Sequence, residues 1–256
     1  MFIAGAVALG LLTGLFVNVV IVRIPAGEAV LCPLSKCPLC HAAIGATDSV
    51  PIISWFRLRA RCRHCDQPIH WGYPVVEALN GLLWGLAAWR FGPHLLLVPY
   101  LFCFSVLLAL SAIDIQIYRL PDKITFTAGA ISLVMLTVVA LVEGEPMWIG
   151  AALVSGIAYF LFLLLPAIVY PRGMGFGDVK LVGLLGLYLG FLTPTYIPVL
   201  AVLSVVISSL IGLVVGLGVL VARGGKSQPY PFGPWLALGC IVSIVFSPQL
   251  LGLYGL

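Results

Sequence analysis

Eight long apolar segments, separated by short polar stretches, divide this chain. They cover roughly residues 2–22, 74–91, 95–117, 124–142, 147–169, 180–193, 196–221 and 235–252. Most approach the ~20 residues that a helix needs to cross ~30 Å of hydrocarbon. Each is expected to be a helix, because hydrocarbon leaves the backbone no partner but itself. The first segment is a long apolar run with no basic start, followed by Arg23, which reads as a spanning helix rather than a cleaved signal. The sixth is short: from Asp178 to Pro194 it reaches only about 24 Å as a helix. Residues 23–73 are different, polar and long enough for a separate folded unit. The organisation expected is therefore a first helix over 1–22, a loop domain over 23–73 and a membrane domain over 74–256.

Composition agrees with that pattern. The chain is 62% hydrophobic and 9% charged, with a mean hydropathy of +1.16. Soluble domains carry about 25% charged residues, so the reading is an all-α polytopic membrane protein with about eight transmembrane helices. Charge adds an orientation. If eight helices alternate, twelve of the Lys and Arg residues share one side and only Arg90 lies on the other. The basic side is expected to be cytoplasmic and both termini outside. The net charge of +4 reflects this asymmetry and attraction to membrane lipid, and gives no support for nucleic-acid binding.

Two aspartates then stand out. Asp114 lies about 7 Å, or a turn and a half, inside the interfacial Arg119. Asp178 lies in the run Gly173-Met-Gly-Phe-Gly-Asp-Val-Lys180. An acid at membrane depth costs roughly 2.5 kcal/mol or more and is read as functional by default. Two carboxylates brought together can share one proton, the arrangement of a water-activating aspartic protease. The bland alternative is an ion pair at helix ends, through Lys180, Arg119 or Arg172. Gly173, Gly175 and Gly177 are expected to permit unusual backbone geometry and close helix approach beside Asp178. Asp122 follows Pro121 and reads as an N-cap or a substrate contact. Glu77, one turn into the second span, is open between scaffold and active site.

Cysteines carry the second signal. Cys37-Pro-Leu-Cys40 and Cys62-Arg-His-Cys65 form two C-x2-C knuckles separated by twenty-one residues. Four thiolates in that spacing suit a closed tetrahedral Zn²⁺ site of structural type. A cytoplasmic loop keeps thiols reduced, which argues against disulfides. Cys32 lies outside the knuckles, and Cys103 and Cys240 fall in apolar spans where Cys fills space. His41, His64 and His70 border the knuckles without being needed as ligands.

With these residues assembled, the chain resembles the type IV prepilin peptidases, or prepilin leader peptidase/N-methyltransferases. The resemblance runs through Phe16-Val-Asn-Val-Val-Ile-Val-Arg-Ile-Pro25, the four-Cys loop, Val50-Pro-Ile-Ile-Ser-Trp55 and Tyr73-Pro-Val-Val-Glu77. It continues through Asp114 with Leu120-Pro-Asp122, the Gly173–Lys180 run and Pro231-Phe-Gly-Pro234. The resemblance implies a bifunctional enzyme of the bacterial inner membrane. Such an enzyme cuts the basic leader from prepilins and pseudopilins of type IV pilus and type II secretion systems, on the cytoplasmic side. It then methylates the new N-terminus from S-adenosylmethionine. By motif match Asp114 and Asp178 are its catalytic aspartates, with Glu77, Asp122, Gly175, Gly177 and Lys180 as supporting residues and the cysteine loop tied to the bifunctional form. Two other classes compete on the residues alone. A membrane thiol oxidoreductase would want its cysteines on the oxidising side. A proton-coupled transporter with a zinc-ribbon appendage would want its acids nearer mid-membrane.

Overall fold

The computed structural model describes residues 1–30, 37, 40, 42–45, 48–169, 175–194, 197–222 and 231–252. All eight apolar segments are helical. The elements are α1 (Phe2–Arg23), α2 (Ile53–Arg57), α3 (Gly72–Phe91), α4 (Leu97–Ile117), α5 (Asp122–Val142), α6 (Met147–Val169), α7 (Phe176–Leu192), α8 (Ile197–Ala222), α9 (Gly233–Val245) and α10 (Ser247–Gly252). Among the described residues four of them, α1, α4, α5 and α6, are long and apolar enough to cross a membrane. The last apolar segment is broken into α9 and α10 at Phe246. The short α2 is an element that the apolar pattern did not predict.

The chain divides into two compact units. The first holds Met1–Pro93 with Phe104–Ala109, and the second holds His94–Cys103 with Leu110–Leu256.

In the first unit α1 lies along α3. The buried residues of α1 include Ala6, Gly10, Gly14, Val17, Asn18 and Ile21, a stripe of mostly small side chains at helical spacing. Small residues let helix backbones approach where lipid offers no hydrophobic drive. The approach is close enough at Gly14 that a Cβ there would lie 2.8 Å from the Cα of Glu77. Polar side chains on this stripe are satisfied within it. Asn80 donates to the Gly10 carbonyl (2.7 Å) and to Thr13 Oγ1 (2.9 Å), and accepts from Ser105 Oγ (2.8 Å). Trp84 Nε1 donates to the same Ser105 hydroxyl at 2.9 Å.

In the second unit α7 is the centre. It contacts α5, α6, α8 and α9, and eleven of its seventeen residues are buried, among them Asp178, Leu181, Leu185 and Tyr188. A helix that is apolar all round is one enclosed by others. This explains the short sixth span: at about 26 Å it is surrounded by protein on most faces. Tyr188 fastens it, donating to Ser132 Oγ of α5 at 2.7 Å, while its carbonyl accepts from the Tyr100 hydroxyl at 2.8 Å.

Candidate active site

Asp114 sits in the last turn of α4. The helix ends directly after it, at Tyr118, whose left-handed backbone (φ 53°) lets its N–H donate to the Asp114 carbonyl at 2.8 Å. The chain then passes through Leu120 and Pro121 into α5. Asp178 lies in the first turn of α7, and its backbone N–H donates to the Gly175 carbonyl at 3.1 Å. Both side chains are buried, 5% and 9% exposed. Both belong to the second unit, and Leu120 packs beside both: a Cβ on Gly177, next to Asp178, would lie 3.0 Å from its Cβ, and one on Gly233, the partner of Asp114, 3.5 Å from its Cδ1. Two helix ends from distant parts of the chain thus set two buried carboxylates on either side of the same leucine.

One partner was missed from the sequence. The N–H of Gly233, at the start of α9, donates to Asp114 Oδ2 at 3.1 Å. A Cβ on Gly233 would lie 2.8 Å from that oxygen and would force the carboxylate to shift. The signal was a glycine held between Phe232 and Pro234, inside a motif that had been given no role.

The supporting residues fall out differently from expectation. Gly175 precedes α7 with φ −76° and ψ 142°, extended geometry that any residue adopts. Its expected backbone licence is therefore not used. Gly177 matters by space, since a Cβ there would lie 3.0 Å from Leu120 Cβ. Asp122 is not the N-cap of α5, a position held by Pro121. As the first helical residue it makes an ion pair with Lys180 Nζ at 2.7 Å, and that ammonium also lies 5.4 Å from the Phe126 ring centroid. Lys180 is thus engaged by Asp122 and by no aspartate of the central pair. Arg172 and Gly173 lie outside the described residues.

Glu77 lies in the first unit and is 6% exposed. Its Oε2 accepts the Ile52 N–H at 2.7 Å, and its Oε1 accepts from Asn18 Nδ2 at 3.4 Å. Ile52 carries φ 60°, an unusual conformation for a β-branched residue. The carboxylate therefore ties the loop before α2 to the facing helices α1 and α3.

The four predicted cysteines converge. The Sγ atoms of Cys37, Cys40, Cys62 and Cys65 all lie within 4.8 Å of one another. Cys37 and Cys65 are 3.8 Å apart, and Cys40 and Cys62 are 4.0 Å apart. A tetrahedral zinc with Zn–S of about 2.3 Å sets its sulfurs about 3.8 Å apart, so the cluster fits that ion. Local turns shape it: Cys62 N–H donates to the Gln67 carbonyl at 2.8 Å, and Ile69 N–H to the Ala60 carbonyl at 2.7 Å. No disulfide joins the cysteines among the described residues, and Cys32 lies outside them. Nearby, Asp48 receives Arg63 (2.6 Å) and Arg57 (3.0 Å). The Arg63 hydrogen bond holds the Asp48 carboxyl below the usual carboxylate range.

Long apolar helices and two aspartates buried at helix ends define a multi-pass membrane protein. Comparison with known proteins narrows this. Residues 8–91 match the Bacterial Peptidase A24 N-terminal domain, and residues 101–217 match the Type IV leader peptidase family. A prepilin leader peptidase/N-methyltransferase of Stutzerimonas stutzeri is 32% identical, over 99% of this chain and 93% of its own length. One from Burkholderia pseudomallei is 34% identical, over 96% of this chain and 86% of its own. Another, from Bacillus subtilis, is 31% identical, over 96% and 94%. No solved structure matches the chain. The chain belongs to the type IV leader peptidase family.

Proposed function

We propose that this protein removes the leader from prepilins and pseudopilins with Asp114 and Asp178 as its catalytic pair, and methylates the N-terminus that cleavage exposes. The observation that carries the reading is the burial of both carboxylates at the ends of α4 and α7. Either one, ionised, takes a proton from water, while its protonated partner polarises the scissile carbonyl. No covalent intermediate is needed. The Gly233 N–H fixes one oxygen of Asp114, leaving the other to face water or substrate.

In this reading the eight apolar segments are transmembrane helices, and the bias of Lys and Arg directs the loop 23–73 and both aspartates to the cytoplasm. A prepilin, with a basic leader before an apolar helix, would then meet the aspartates near the membrane boundary. Zinc closed by four thiolates leaves no position for water and serves the fold of the loop. S-adenosylmethionine, when bound, supplies an electrophilic methyl group. The amine nitrogen forms the new bond, the methyl–sulfur bond breaks with its electrons going to sulfur, and the amine loses a proton.

Mass spectrometry of a co-expressed prepilin tests both halves. Wild type is expected to yield the leaderless, methylated product, and Asp114→Asn and Asp178→Asn the uncut precursor. Cleavage by either folded variant at the wild-type rate would remove the aspartates from the chemistry. An intact precursor with wild type would overturn the peptidase reading.

A further inference from the structure

A cavity of about 490 Å³ lies in the first unit, where α1 and α3 meet the cysteine loop. That volume falls in the range of about 300–1,000 Å³ typical of small-molecule sites. Its lining belongs to the first unit, whereas both aspartates belong to the second. The leader-cutting chemistry therefore does not account for it.

Three kinds of surface meet in this cavity. Trp55 and Tyr73 bring aromatic rings. The Trp55 indole N–H is already taken by the Ile69 carbonyl at 3.1 Å, so the ring offers apolar surface. Glu77 brings a buried carboxylate that uses two acceptor positions, for Ile52 and Asn18. A carboxylate has about four such positions, so capacity remains for a cation. Arg23 and Arg63 bring positive charge, and Asp48 holds Arg63 in place. Two cationic and two anionic side chains balance. A basic leader peptide would call for an excess of acid, and a lipid chain for no charge at all. A flat purine joined to a sulfonium and an amino-acid zwitterion matches all three surfaces. The rings suit the purine, the carboxylate and the rings suit the cation, and a guanidinium suits the carboxylate.

We propose that this cavity is the methyl-donor site, taking S-adenosylmethionine against Trp55, Tyr73 and Glu77. The proposal rests on the methyltransferase half of the function above. Cys37 and Cys62 also line the cavity, so a metal held by the cysteine cluster would stiffen one of its walls.

The test uses full-length, zinc-loaded protein in nanodiscs and S-adenosylhomocysteine bearing a photoreactive azido group on the adenine. Peptide mapping is expected to find the label between residues 15 and 77. A label confined to residues 110–252 would overturn the site. Calorimetric binding of unmodified S-adenosylhomocysteine gives a second readout. Trp55→Ala and the cavity-filling Ala43→Trp are each expected to weaken it by at least about tenfold, with zinc content unchanged. Phe162→Ala, on the exposed face of α6, is expected to leave binding as it was. Wild-type affinity in both cavity variants would also overturn the site. Methyl transfer to a co-expressed prepilin separates the two readings. If wild type methylates but the label maps to the second unit, the cavity alone is wrong. If wild type neither methylates nor binds, the methyltransferase reading falls and the cavity assignment falls with it.

Discussion

Gly233 and Asp114, 119 residues apart in the chain, meet through one hydrogen bond of 3.1 Å from the glycine N–H to Oδ2. The bond fixes one face of a buried carboxylate. It also leaves no room for a side chain at 233 unless the carboxylate moves, since a Cβ would lie 2.8 Å from that oxygen.

Gly233→Ala is therefore expected to swing the Asp114 carboxylate aside while α9 stays helical. Misplacing a catalytic group by about 1 Å costs about a hundredfold in rate. Cleavage of a prepilin in isolated membranes measures the loss, and thermal unfolding checks that the variant is folded. A wild-type rate would show that the contact does not position Asp114.

The Lys180–Asp122 pair predicts a smaller effect. Its side chains are 28% and 58% exposed, and exposed pairs contribute about 0.2–1 kcal/mol. A double-mutant cycle of Lys180→Met and Asp122→Asn is expected to give a coupling below about 1 kcal/mol. Cleavage should fall by less than about tenfold, since each tenfold is 1.36 kcal/mol of barrier. A loss as deep as that of Asp178→Asn would instead place Lys180 in the chemistry.

Metal removal should act on the loop first. Structural zinc supplies folding energy to the segment that binds it. Chelation, or Cys62→Ser, is expected to expose Trp55 and shift its fluorescence to the red. Elemental analysis of the wild type should find one zinc per chain. Unchanged fluorescence after full metal loss would mean that the loop holds its shape without the ion.

Asp48 gives a pH dependence with a definite sign. Its folded carboxyl is held by Arg63 below the ordinary value of 3.8. The contribution is therefore complete above the ordinary aspartate range and is lost as pH falls through the lowered folded value. The stability difference between wild type and Asp48→Asn, followed by acid titration of loop fluorescence, should shrink below about pH 4. A difference that held constant through the acid range would show that Arg63 and Arg57 gain nothing from the charge.

Much of this was legible in the sequence because it rests on local costs. Apolar runs of spanning length must be helices, since hydrocarbon satisfies no backbone group, and all eight are. Four cysteines in two knuckles can close on one ion only by converging, and they converge. Ionised side chains in apolar runs are costly enough to mark themselves, as Asp114, Asp178 and Glu77 did. What each marked residue touches was not legible. Asp122 looked like a cap beside Pro121, yet its carboxylate is taken by Lys180 of another helix. Gly175 looked like a site of unusual backbone geometry, yet its backbone is ordinary and extended.

Sequence by itself determined the helices, the cysteine cluster and the two aspartates, because burial cost and ligand spacing act along the chain. Tertiary structure alone decided that Gly233 holds Asp114, that Glu77 anchors Ile52, and that a cavity opens between α1, α3 and the loop. Those facts depend on which distant parts of the chain approach each other closely enough for a backbone N–H to reach a carboxylate. Close packing sets such approaches through many weak contacts at once, and no short stretch of residues encodes them.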